Sequence, residues 1–143
     1  MEGSLTHKDL TDKIIGTFYE VYNELGFGFL ESVYEEAMLM ALQSKGLLVV
    51  QQVKIPVFFR GTNIGNFEAD LVVENIVIVE LKAVSNLIDA HIAQLMNYLR
   101  ATDIEVGLVL NFGQRPEFKR RVFDNDRKGV EKNAHSLTES LLS

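Results

Sequence analysis

The sequence predicts a mixed α/β fold, with a central mixed sheet flanked by helices in the order α-α-β-β-β-α-β. Three observations predict it. Apolar side chains recur at helical spacing through residues 6–45. Short runs rich in Val, Ile and Phe, cut by turn residues, fill residues 49–83. A third helical segment then separates the third strand from a fourth, and such a crossover makes the fourth strand parallel to a neighbour.

Residues 6–24 form the first helix, with Leu10, Ile14, Phe18, Val21 and Leu25 on one stripe and Thr6 with Asp9 as a capping box. Leu25-Gly26-Phe27-Gly28 breaks it. A second helix runs from about Phe29 to Lys45, with Val33, Ala37, Met40 and Ala41 on its apolar side and Gly46 closing it. Val49–Arg60 is the first strand, and Pro56 places it at an edge or on a bulge. Gly61-Thr62-Asn63 supplies a turn into the second strand, Ile64–Val73. Glu74-Asn75 is a two-residue turn, since Asn tolerates the positive φ of a tight hairpin. Ile76–Ala83 begins apolar on both faces, as a central strand does. Ser85 or Asn86 caps a helix to about Arg100 with a core stripe of Ile88, Ile92, Leu95 and Leu99. Val106–Asn111 is the fourth strand and Lys119–Phe123 a candidate fifth. Phe18, Phe58, Phe59 and Phe112 are read as core.

The chain has 143 residues, 47% apolar and 24% charged, which fits one domain over 1–143 with its own core. Residues 124–143 are polar and predict a disordered or helical tail, with a weak helical pattern near Leu137–Leu142. Without cysteine there is neither a disulfide framework nor a Cys-based zinc site. Three isolated histidines, with no H-x-x-x-H or H-E-x-x-H spacing, argue against a His-rich metal site. No basic n-region precedes an apolar run and no stretch approaches a membrane span, so no membrane partner and a cytoplasmic location are expected.

Asp70, Glu80 and Lys82 carry the chemistry. Asp70 lies at the end of one strand, and Glu80-x-Lys82 at the end of the next, after a run of apolar residues. Strand side chains alternate, so Glu80 and Lys82 point the same way. Two carboxylates and an ammonium at one point make a candidate divalent-metal site with a base or charge stabiliser beside it. That equipment suits phosphodiester cleavage. The bland alternative is a solvated ion cluster at a sheet end. Glu31, Tyr34 and Glu35 share a helix face near the same place. Glu31 as a mere first-turn acid and Tyr34 as a packed aromatic are their bland readings. His91, Gln94 and Tyr98 form a polar stripe on the third helix, where a surface pair and a capping histidine are the alternatives.

Gly28-x-x-Glu31-x-x-Tyr34 resembles the signature of the GxxExxY family, a group within the PD-(D/E)XK superfamily of phosphodiesterases. Asp70…Glu80-x-Lys82 resembles that superfamily's core motif, with Ala69 in place of the proline. Gln94-x-x-x-Tyr98 resembles the Q-x-x-x-Y motif of its RecB-like branch. The resemblance spans roughly residues 10–112 and implies a restriction-endonuclease-like αβββαβ core. It implies Mg²⁺ or Mn²⁺ held by Asp70, Glu80, the backbone carbonyl of Leu81 and Glu31, directly or through water. It further implies that Lys82 activates water or stabilises charge, and that Gln94 and Tyr98 position the lysine or the phosphate.

The function expected is Mg²⁺-dependent hydrolysis of phosphodiesters, with DNA as the nucleic-acid partner. The alternative is an inactive module of the same fold that binds nucleic acid or a protein. The net charge of −6 favours the alternative, since phosphate binding wants a basic surface. A local basic edge at Arg115, Lys119, Arg120, Arg121, Arg127 and Lys128 offsets that acidity, unless it is only a solvated surface. Hydrolysis of another phosphate ester ranks last, because no base-recognition pocket is readable. Val49–Arg60 as an open edge would pair two copies into a homodimer.

Overall fold

The computed structural model describes residues 6–128. Helix α1 spans Lys8–Leu25 and buries Ile14, Phe18 and Val21 along one stripe. The expected Thr6–Asp9 capping box does not form. The N-cap is His7, in the left-handed region at φ 55, with no side-chain cap bond. That start puts Leu10 at the position where a box needs a Glu or Gln. The Thr6 carbonyl instead accepts from the Arg120 guanidinium.

Helix α2 spans Glu31–Ser44, two residues shorter than expected at its start. Its buried residues are Tyr34, Met38 and Leu42, while Val33 and Met40 of the expected stripe are 39% and 69% exposed. Two apolar stripes compete on this helix. The one led by tyrosine faces inward because Tyr34 stacks on Phe112 at 4.1 Å between ring centroids and its hydroxyl finds the Gly26 carbonyl.

Five strands follow: β1 Val49–Phe59, β2 Thr62–Val73, β3 Val77–Lys82, β4 Val106–Phe112 and β5 Pro116–Val122. They form one sheet in the order β1-β2-β3-β4-β5. Only the β3–β4 pair is parallel; the other three are antiparallel. Helix α3, Asp89–Arg100, makes the crossover between β3 and β4. The mixed sheet flanked by helices is therefore the expected one, with β3 at its centre and Pro56 on edge strand β1. The β1–β2 turn falls at Arg60–Gly61, both at positive φ, so β2 starts two residues early. Glu74 and Asn75 take φ 56 and 58, as a tight hairpin requires.

Helix α3 starts later than Ser85 or Asn86 could cap. Its N-cap is Ile88, whose N–H donates to Nδ1 of His91 at 3.1 Å. Ile88 thus lies ahead of the helical face and is exposed, leaving Leu95 and Leu99 buried and Ile92 half-buried in the stripe. Phe59 is also exposed and Phe58 half-buried, because the β1–β2 hairpin overshoots the rest of the sheet. A short 3₁₀ turn, Asn125–Arg127, follows β5. Most of the expected tail, including Leu137–Leu142, lies outside the described residues. Among the described residues no helix is long and apolar enough to cross a membrane.

The sheet separates two cores. Helices α1 and α2 cover one face with Ile14, Phe18, Tyr34, Met38 and Leu42 against Leu71, Val79, Leu81, Leu108 and Leu110. Helix α3 covers the other, with Leu95, Tyr98 and Leu99 against Val72, Ile78 and Val109. The alternation breaks at one place. Ala69 and Leu71 are two residues apart yet belong to opposite cores. On β1, Gln51 reaches α2 while Val53 joins the α3 core. Between them Gln52 sits in the left-handed region at φ 51, opposite Asp70 in the register. Both strands therefore roll over together at Gln52 and Asp70 without slipping register.

Candidate functional site

Asp70 occupies that roll-over. The β2–β3 ladder runs from Val73–Val77 to Leu71–Val79 and ends there. The next pair in register is Asp70 opposite Glu80. Its side chains replace ladder bonds: the Asp70 N–H donates to Glu80 Oε2 at 2.9 Å, and the Leu81 N–H donates to Asp70 Oδ2 at 2.8 Å. The two carboxylates thus splice the strands where the backbones part. Each keeps a second oxygen, Asp70 Oδ1 and Glu80 Oε1, with no hydrogen bond among the described residues.

Glu80 is only 3% exposed. Burial, then the nearby Asp70 charge, pushes its carboxyl up to about 8. Burial pushes Asp70 up to about 6, against the Leu81 N–H, which favours the charged form; Glu35 and Glu31 add repulsion. Lys82 opposes both shifts. A buried carboxylate pair with too little compensating charge is the electrostatic situation a divalent cation relieves.

Lys82 lies on the α3 face of β3. Its ammonium donates to Gln94 Oε1 at 3.0 Å, and Gln94 Nε2 donates to the Tyr98 hydroxyl at 3.0 Å. Gln94 and Tyr98 are one turn apart, so a single helix face carries the chain of bonds. Burial and the Glu80 charge push Tyr98 up to about 12, which keeps its hydroxyl protonated.

Glu31 and Tyr34 stand differently. Glu31 is exposed at the start of α2; its charge reaches Asp70 and Glu80, but among the described residues no three carboxylates or imidazoles converge as a metal cluster. Tyr34 is fully buried and serves the loop. Its hydroxyl donates to the Gly26 carbonyl at 2.6 Å and accepts from the Phe29 N–H at 3.3 Å. Gly28 sits between at φ 111, where a side chain would be strained. Glu35 binds the amides of Gln51 and Gln52, tying α2 to the roll-over in β1.

Sequence reasoning missed Asn111. Its side-chain amide bridges the Val84 backbone, accepting from the N–H and donating to the carbonyl, both at 2.9 Å. This clamp fixes the chain just beyond Lys82 against the end of β4. A Cβ at Gly113 would meet the Val84 carbonyl at 2.3 Å, so only glycine permits the approach. A buried Asn ending an apolar strand, two residues before a glycine, was the available signal. The basic edge is largely spent inside the molecule. Arg120 holds Thr11 and Thr6, Lys128 donates to the Thr102 and Ile104 carbonyls, and Arg127 lies over the Phe123 ring.

A five-stranded mixed sheet with Asp and Glu-x-Lys on adjoining strands defines a restriction-endonuclease-like α/β protein. The family model of the PD-(D/E)XK nuclease superfamily matches residues 8–122, and the chain belongs to that superfamily. No curated protein and no solved structure matches it significantly.

Proposed function

We propose that the protein is a divalent-metal-dependent nuclease of the GxxExxY group that hydrolyses phosphodiester bonds in DNA. Membership of a nuclease superfamily supports hydrolysis of nucleic acid. The observation that carries the reading further is the spliced carboxylate pair, which leaves one unbonded oxygen on each of Asp70 and Glu80 beside a held lysine.

The donor set fits Mg²⁺ or Mn²⁺: hard carboxylate oxygens, no thiolate and no imidazole in the cluster. Asp70, Glu80 and the Leu81 carbonyl would hold the ion, with Glu31 acting at longer range through water. Such an ion polarises a scissile phosphate and lowers the pKa of water. The chain's own residues do the rest. Asp70 and Glu80 are fixed by backbone N–H donors, so their free oxygens do not reorient. Lys82 spends one hydrogen on Gln94 and keeps two for the attacking water or the phosphate oxygens. Gln94 is itself aimed by Tyr98, so the ammonium is positioned before substrate arrives.

Cleavage of linear, circular and single-stranded DNA, and of RNA, in Mg²⁺ and Mn²⁺ tests the proposal, with Lys82→Ala as control. DNA cleavage that requires metal and Lys82 is expected. Cleavage that persists in Lys82→Ala would overturn it. The acidic charge and the internally engaged Arg120 and Lys128 favour the second reading, an inactive binding module. Titration calorimetry separates the two, since an inert module takes up no Mn²⁺ at the Asp70–Glu80 pair.

A further inference from the structure

The loop between α1 and α2 presents aromatic side chains to solvent beside the site. Phe27 is 56% exposed and Phe29 47%. The loop is stiff: Tyr34 is hydrogen-bonded to both Gly26 and Phe29, and its ring meets Phe29 edge-on at 6.0 Å between centroids. Phe27 and Phe29 form one wall of a cleft. Val84, Ser85 and Gln114, just past the C-terminal ends of β3 and β4, line it too.

Along the chain the cleft adjoins the candidate-site residues at two points. Its floor at Ala83 follows Lys82 directly, and Phe29 precedes Glu31 by two residues. Ser85 also borders a second depression, which contains Arg115. Arg115 is exposed and makes no hydrogen bond or ion pair among the described residues. It is thus a basic-edge cation not engaged internally. Aromatic rings, polar groups and an open guanidinium thus line two depressions that share Ser85. That arrangement matches one nucleotide unit, a base to stack and a phosphate to pair. A paired base is already stacked on its neighbours and cannot enter an aromatic cleft without first unpairing.

We infer that Phe27 and Phe29 are a stacking platform for unpaired bases, with Arg115 holding an adjoining phosphate, so that the substrate is single-stranded or frayed nucleic acid. The inference rests on the nuclease reading for its biological sense, but not for its test.

The test is binding of labelled oligothymidylate, oligouridylate and a matched duplex to the full chain in metal-free buffer, where nothing is cut. The parent is expected to prefer the single strands. The double variant Phe27→Ala/Phe29→Ala is expected to lose roughly tenfold or more in single-strand affinity, with little change on duplex. Phe27→Trp retains the binding if stacking is the cause, and circular dichroism checks that each variant is folded. Arg115→Gln is expected to lower the salt dependence of single-strand binding by about one unit of slope. Oligouridylate bound as well as oligothymidylate would extend the platform to RNA. Unchanged single-strand binding in the double variant, an equal loss on duplex, or no nucleic-acid binding by the parent would each overturn the inference. A dimer that the double variant dissolves, with strand binding unchanged, would assign the rings to a subunit interface and overturn it too. Platform-dependent binding without cleavage in Mn²⁺ would instead sink the nuclease reading alone.

Discussion

The two faces of the sheet are built to different ends. The face under α1 and α2 is sealed by stacked and edge-on rings, with Phe18 and Tyr34 each packed on Phe112 and no free charge among them. The face under α3 also buries leucines, but along one margin it holds the buried Glu80 and the hydrogen-bonded chain Lys82–Gln94–Tyr98. The first face maximises apolar contact. The second gives up some of it to hold a lysine and a carboxylate pair that are costly to desolvate. The division teaches where stability and chemistry should come apart under mutation.

Phe112→Ala strikes the sealed face and has the largest expected effect. Phe112 packs against Phe18, Tyr22 and Tyr34, and its loss leaves a cavity that rigid neighbours cannot fill. A cost of about 3–5 kcal/mol is expected, read by urea or thermal unfolding. A cost under about 1 kcal/mol would mean the rings repack and the contrast between faces is weaker than drawn.

Glu80→Gln strikes the other face with the opposite sign. Asp70 and Glu80 carry native pKa values raised to about 6 and about 8, from 3.8 and 4.5. Between these limits the native state binds more protons than the unfolded chain. Metal-free stability therefore falls as pH rises from about 4 to 8, then levels off. Glu80→Gln removes the buried charge and should stabilise the metal-free protein by about 1–3 kcal/mol above pH 8, where the parent is weakest. It should also abolish stabilisation by Mg²⁺. Melting curves across pH with and without Mg²⁺ check both; a parent whose stability rises over that window would refute the account of the pair.

Gln94→Leu has the smallest of these effects. Without its Oε1 acceptor the ammonium of Lys82 loses its one hydrogen-bond partner among the described residues. A fall in kcat of about tenfold with KM little changed is expected, in line with one hydrogen bond to a charged group. An equal rise in KM would instead place Gln94 on the substrate.

Much of this division was readable along the chain, and the parts that were not have physical causes. The order of elements followed from periodicity, and Glu80 and Lys82 share a face because β3 is regular. The roll-over at Asp70 was not readable. Strict alternation puts Ala69 and Leu71 on one face, and nothing marks Gln52 as a residue that will adopt positive φ. The inward stripe of α2 is ambiguous in the sequence because Val33–Met40 and Tyr34–Leu42 are equally periodic; a tyrosine hydroxyl and a carbonyl eight residues away decide between them. Helix starts failed for a related reason. His7 and Ile88 cap α1 and α3, and neither residue type advertises a cap. The two bonds that splice Asp70 to Glu80 depend on where the ladder ends, which the sequence does not state.

The most direct test takes cleavage rate and melting temperature together on Lys82→Ala. The ammonium is held by Gln94 at the margin of the α3 face and supports none of the sealed core. The account predicts metal-dependent DNA cleavage by the parent, its loss by about a hundredfold or more in the variant, and a melting temperature that barely moves. Cleavage retained in the variant, or lost only in proportion to unfolded protein, would contradict the claim that this face carries the chemistry and the other the stability.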